Sequence, residues 1–197
     1  MPLLLILIAS WGVYLGRPRS FDDDAVLDKA LLVFWAQGFD ATSIEDLETA
    51  TGLRRASLYG AFGDKQAMFR ACLARYARAV ARPWLAALPA GGGGGSVTSF
   101  LDSLVTAIAA DPARRGCFMV NTAADGQAGE EVATHLTRFR DGFASALAGD
   151  ARLGADEVRG RAQLALATML GLLVLGRAGE KREALALAVR ALGESWD

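Results

Sequence analysis

The stretch from Thr42 to Lys65, TSIEDLETATGLRRASLYGAFGDK, leaves this chain little choice of local structure. Thr42 followed three residues later by Glu45 has the spacing of a capping box, in which hydroxyl and carboxylate each take an orphan amide at a helix start. Ile44, Leu47 and Ala50 then share one face of a short helix near 43–50. Gly52 stands where the chain must turn, because glycine reaches left-handed backbone angles without a steric penalty. A second short helix near 54–60 follows. Leu53, Leu58 and Phe62 supply its buried side and leave Arg54, Arg55, Ser57 and Tyr59 for another face. Helix, tight turn and polar-faced helix form a helix-turn-helix arrangement, with the motif spanning about 43–62.

The surrounding residues extend the pattern. Gly38-Phe39, Thr42-Ser43-Ile44, Leu47, Ala50-Thr51-Gly52-Leu53, Ser57-Leu58-Tyr59, Phe62, Lys65 and Phe69 together resemble the DNA-binding domain of the TetR family of one-component transcriptional repressors. A plain helical bundle accounts for the apolar positions but not for the Tyr-x-x-Phe-x-x-Lys run after the turn. The resemblance implies an all-α fold with a three-helix DNA-binding domain followed by a helical ligand-binding and dimerisation domain. It divides the chain into an apolar extension at 1–16, the reading domain at 17–81 and the remainder at 82–197.

Composition agrees with a helical protein: Ala and Leu dominate, Pro numbers 5 in 197 residues, and 52% hydrophobic content makes burial easy. Charge is less helpful. The net charge is −1, and between Arg17 and Lys65 six basic residues face nine acidic ones, so no basic footprint exists as an average. Positive charge is instead local, at Arg17 and Arg19, at Arg54 and Arg55, and at Lys65. Asp22, Asp23 and Asp24 belong to the start of the first helix, where acids complement the helix dipole. Two cysteines and a single His supply neither a disulfide framework nor a zinc set, so no metal or cofactor is expected and a reducing cytoplasm is the simplest compartment.

Residues 1–16, MPLLLILIASWGVYLG, admit three readings. The apolar run Leu3–Ile8 is too short to span a bilayer, and the basic residues follow it rather than precede it. Relatives by resemblance often begin Met-Gly-Arg-Pro-Arg, and this chain has Leu15-Gly16-Arg17-Pro18-Arg19, which suggests initiation at Leu15 with an annotated extension before it. A peripheral anchor and an extra helix are the other two, and no stable membrane association is expected.

A first helix is expected over Asp22–Gln37, with Val26, Leu27, Ala30, Leu31 and Phe34 inward and Gly38 ending it. Asp64 should cap a helix running from Lys65 to about Leu88 and bending near Pro83. Gly91–Gly95 with Ser96 reads as a flexible linker, and a helix over Val97–Ala110 is stopped by Asp111-Pro112. Arg115-Gly116-Cys117-Phe118-Met119-Val120-Asn121 is the second informative stretch. Two arginines before Cys117 can lower a thiol pKa and make it reactive, although a lone Cys before Phe-Met-Val is more often a small core residue. The Gly-Cys-x-x-x-Asn pattern resembles one in a subset of TetR-like regulators, some of which sense electrophiles or oxidants. Cys117, Phe118, Asn121 and His135, the last on a helix over Glu130–Leu147, are the candidate ligand contacts.

Two final helices, about 155–178 and 180–195, carry Ala162, Leu166, Met169 and Leu173, then Leu185 and Val189. The resemblance implies that they pair with their symmetry mates in a homodimer; burial within one protomer fits the periodicity equally. It further implies a regulator, most simply a repressor, binding a palindromic duplex operator and responding to a small-molecule inducer. Arg54 and Arg55 would then read guanine edges, and Thr42, Ser43, Ser57, Tyr59 and Lys65 would hold phosphates, with Arg17 and Arg19 as an arm. No nucleophile–base set, paired-carboxylate motif or nucleotide loop suggests an enzyme. A membrane-attached or protein-binding helical adaptor is the rival reading.

Overall fold

The structure is a computed structural model, and it describes residues 21–127 and 129–196. The expectations for residues 1–16, for a start at Leu15 and for an arm of Arg17 and Arg19 lie outside the described residues. Helix α1 (Asp23–Gln37) begins at Asp22, whose carboxylate accepts from the Asp24 amide at 2.9 Å, and ends at Gly38 with φ 83°. Its buried face is Val26, Leu27, Ala30, Leu31 and Phe34, as the spacing predicts.

Helix α2 (Ile44–Thr51) is capped one residue later than expected. Ser43, not Thr42, is the N-cap, and its partner is Asp46 rather than Glu45: Asp46 N donates to Ser43 Oγ at 3.1 Å while Ser43 N donates to Asp46 Oδ2 at 2.8 Å. Thr42 is buried, and its hydroxyl donates to the Gly38 carbonyl at 2.7 Å, tying the α1–α2 loop together. A hydroxyl spent in this way has no face to offer a phosphate. Gly52 takes the left-handed turn (φ 76°, ψ 8°), and helix α3 (Arg55–Phe62) follows. Asp64 caps helix α4 (Lys65–Tyr76), accepting from Ala67 N at 2.7 Å.

The long helix expected after Lys65 is continuous but not regular. Residues Ala77–Ala81 form a π-helical turn before α5 (Arg82–Ala86), which ends two residues before Leu88. The Arg82 amide reaches back five residues to Ala77, and this widened turn lies immediately before Pro83, which has no amide to donate.

Helix α6 spans Gly93–Ala110, so most of the expected glycine linker is helical. Glycine serves close approach here. Trp196 packs over Gly94, where a Cβ would meet its ring at 3.2 Å, and Gly91 lies against Gly149, donating to the Ser145 carbonyl at 2.9 Å. Packing outweighs the poor helix propensity of glycine. Beyond Asp111 come α7 (Phe118–Ala124), α8 (Glu130–Leu147), α9 (Ala155–Arg177) and α10 (Arg182–Glu194). Helix α1 packs on α2 and α4; α6, α8, α9 and α10 form the second bundle, and α4 and α5 reach α8 between the two.

The residues expected at a dimer interface are buried in the protomer instead. Ala162, Leu166, Met169, Leu173, Leu185 and Val189 are all core, because α9 turns that ridge toward α6 and α8 and α10 covers its end. Among the described residues the large apolar side chains left outside are Leu32 on α1, Leu164, Val174 and Leu175 on α9, and Leu187 on α10.

Candidate nucleic-acid interface and effector cavity

Helix α3 is held by a single fully buried side chain, Leu58, with Phe62 half-buried beside it. Everything from Arg54 to Ser57 is exposed. Arg54 occupies the N-cap, where a guanidinium cannot accept a hydrogen bond. The missing acceptor comes from α2: the Glu48 carboxylate takes the Arg55 amide at 2.8 Å. Sequence reasoning passed over Glu48; the signal was an N-cap position unable to cap its own helix. Arg55 lies with its guanidinium 5.1 Å from the centre of the Tyr59 ring, and Lys65 Nζ sits 4.5 Å from that of Phe39. Arg54, Arg55 and Ser57 therefore stand exposed at the start of α3, with half-buried Tyr59 one turn on, and Lys65 stands at the start of α4. Ser43 is exposed but engaged with Asp46, which holds the Asp46 carboxyl below its ordinary pKa.

The second site is a cavity of about 240 Å³ between α4, the π turn, α6, α8 and α9. Trp84, Phe100 and Phe139 form one wall; Trp84 and Phe100 meet edge-on at 5.7 Å. Three polar groups lie together in its lining, Tyr76, Cys117 and His135. The Tyr76 hydroxyl donates to Cys117 Sγ at 3.3 Å, and His135 Nε2 is 3.9 Å from the same sulfur. Burial pushes the Cys117 thiol above its usual pKa, although hydrogen bonds from Tyr76 and nearby amides oppose the shift. A thiol activated by Arg114 and Arg115 is thus not supported: burial dominates, and the groups that oppose it are Tyr76 and the amides of Met119 and Val120, not the arginines. Cys72 is likewise pushed up to about 12 by burial, with Asp28 adding to the effect. His135 moves the other way, down to about 4, through burial and then the charge of Arg138. It is a neutral, buried ring at pH 7.

Of the four expected ligand contacts, Cys117 and His135 line this cavity and the other two do not. Phe118 is buried in an aromatic cluster with Trp35, Phe69 and Tyr76, and Asn121 donates to the Arg115 carbonyl at 2.8 Å. Both border a smaller void of about 70 Å³ on the other side of α7. The residues missed from sequence are Trp35, Trp84, Phe100, Phe139 and Arg177, whose proximity depends on packing between distant elements.

One carbonyl joins the two sites. The Arg115 oxygen accepts from Trp35 Nε1 on α1 at 3.1 Å, from Asn121 on α7 and from Arg177 on α9 at 3.2 Å, while the Arg115 guanidinium lies 5.2 Å from the centre of the Trp35 ring. Trp35 and Arg177 also line the cavity.

The capped, glycine-turned α2–α3 pair, braced by α1 and α4 and attached to an all-helical body, defines a helix-turn-helix protein. Residues 26–72 match the family model described as bacterial regulatory proteins, tetR family. That segment, from α1 into α4, is similar to the DNA-binding region of the family. The HTH-type transcriptional repressor ComR of Escherichia coli (strain K12) is 52% identical over 61 residues, covering 31% of this chain and 29% of ComR. The HTH-type transcriptional repressor BdcR of the same organism is 37% identical over 68 residues, 34% of each protein. The chain thus matches about a third of the length of these curated relatives. A cysteine mutant of the TetR family transcriptional regulator CifR, complexed with 26-bp double-strand operator DNA, matches with a TM-score of 0.78 and 28% identity, over 92% of this chain and all of that one. SCO4454 of Streptomyces coelicolor, at 22% identity, TM-score 0.72, 87% of this chain and 94% of its own, shares the fold.

Proposed function

We propose that the protein is a transcriptional repressor that binds a palindromic operator as a homodimer and releases it when a small molecule fills the cavity. The observation that carries this reading is the exposed end of α3, where Arg54, Arg55 and Ser57 stand clear of a helix anchored by Leu58 and capped by Glu48. Arg54 and Arg55 are the base-reading side chains, suited to the paired acceptors of guanine in the major groove. Ser57, Tyr59 and Lys65 orient the domain on phosphates. The DNA-bound CifR complexes support the assignment by analogy. Residues 17–81 form the reading domain and 82–197 the effector and dimerisation domain, acting in the cytoplasm. The exposed apolar ridge Leu164–Val174–Leu175, with Leu187, is the surface for the second protomer. Coupling runs through Trp35 and the Arg115 carbonyl, since a ligand that draws Arg177 away changes how α1 is held. It acts only insofar as it binds one arrangement better than the other. Selection from a random duplex pool tests the whole reading: the expected result is enrichment of an inverted repeat bound by two protomers, and the absence of any enriched sequence contradicts it.

A further inference from the structure

The reading of the cavity as an effector site leaves open which chemistry fills it. The lining is asymmetric. Its walls are aromatic, and one end carries Arg114, Arg115 and Arg177 against a single carboxylate, Asp111. Asp111 is already taken, accepting from the Arg115 guanidinium at 3.1 Å, and that bond holds its carboxyl below the usual range. Arg115 is thus neutralised, whereas no carboxylate among the described residues pairs with Arg114 or Arg177. His135, neutral at pH 7, adds no charge of its own.

Arg114 is set in place at some cost. It is the one non-glycine residue with positive φ among the described residues, at 48°, and such backbone strain gathers at ligand clamps. Its guanidinium lies against Gly179, where a Cβ would fall 2.5 Å from Nη1, so the glycine clears the position. Arg177, in the last turn of α9, and Arg114, against Gly179 just past its end, both stand at the negative end of that helix's dipole, but neither pairs with a carboxylate among the described residues.

We propose that the cavity binds a small aromatic carboxylate. Its ring packs on Trp84, Phe100 and Phe139, and its carboxylate takes Arg114 and Arg177 at the mouth. The edge-on geometry of Trp84 and Phe100 suits a flat ring, and a volume of about 240 Å³, below the ~300–1,000 Å³ of common ligand sites, limits the occupant to about one ring with a short acid arm. Charge-assisted bonds to guanidinium supply the preference for an anion.

This rests on the cavity being an effector site, but it is testable on the DNA-free protein. Trp35 and Trp84 line the cavity, so tryptophan fluorescence reports occupancy. Benzoate, phenylacetate and 3-phenylpropanoate are titrated, each beside its neutral amide, together with 3-cyclohexylpropanoate. The expected result is at least one aromatic carboxylate bound about tenfold tighter than its amide, with a preference that shrinks as salt rises. Arg114→Gln should abolish most of that preference, and Arg177→Gln should reduce it. No carboxylate favoured over its amide, a preference intact in Arg114→Gln, or equal binding of 3-cyclohexylpropanoate each overturns the proposal. Binding without any effect on DNA would count against the repressor reading and leave this one standing.

Discussion

At the scale of single residues, burial decides what the titratable groups can do. His135 stays neutral in the fold down to about pH 4, while in the unfolded chain it protonates near 6.5. Between those values the unfolded state binds more protons, so stability rises with pH and is lost on acidification. Urea unfolding should therefore show His135→Gln losing about 2 kcal/mol less than wild type between pH 7.5 and 5; parallel curves would show that the ring is not held neutral. Cys117 follows the same rule with opposite sign. Its raised pKa disfavours the thiolate, so a thiol reagent at pH 8 should label it only as the protein unfolds, and fast labelling of the native state would contradict its burial. The sequence left two readings of Cys117 and favoured the core one; two arginines before a cysteine are visible in one dimension, whereas the packing of Tyr76 and His135 against the sulfur that decides between them is not. Thr42 and Ser43 teach the same point at finer grain. Either can open a capping box, and the choice fell to whichever hydroxyl the Gly38 carbonyl did not claim.

At the scale of elements, helix starts and stops were the legible part. Asp22, Gly38, Gly52, Asp64 and Asp111 all punctuate the chain where their chemistry predicts. The exceptions are elements whose ends are set by a distant partner. Gly93 begins α6 because Trp196 rests on Gly94, and no local propensity announces that. Helix α3 is another such case, borrowing its cap from Glu48. Glu48→Ala should lower stability by about 1 kcal/mol, the usual loss of a capping acceptor, and Glu48→Gln should restore most of it. Equal melting of all three proteins would mean that α3 holds its start without that carboxylate.

At the scale of the whole molecule, the ridge of α9 expected at a dimer interface is buried within the protomer. Periodicity cannot separate a ridge that packs inside from one that packs against a partner when both are apolar. The exposed set predicts that Leu175→Glu yields a monomer by sedimentation with little change in secondary structure, whereas Leu166→Ala, in the core, costs about 2–5 kcal/mol. A Leu175→Glu protein that remains dimeric would move the interface elsewhere. The central claim, that the exposed end of α3 reads base pairs, is tested most directly by measuring affinity for every single-base variant of the selected operator. Against wild type, Arg55→Ala should lose about 1–3 kcal/mol and relax preference at one position in each half-site. Lys65→Ala should weaken all duplexes alike and lower the salt dependence. Arg54 and Arg55 variants with unaltered base preference, beside a Lys65 variant with altered preference, would contradict the account.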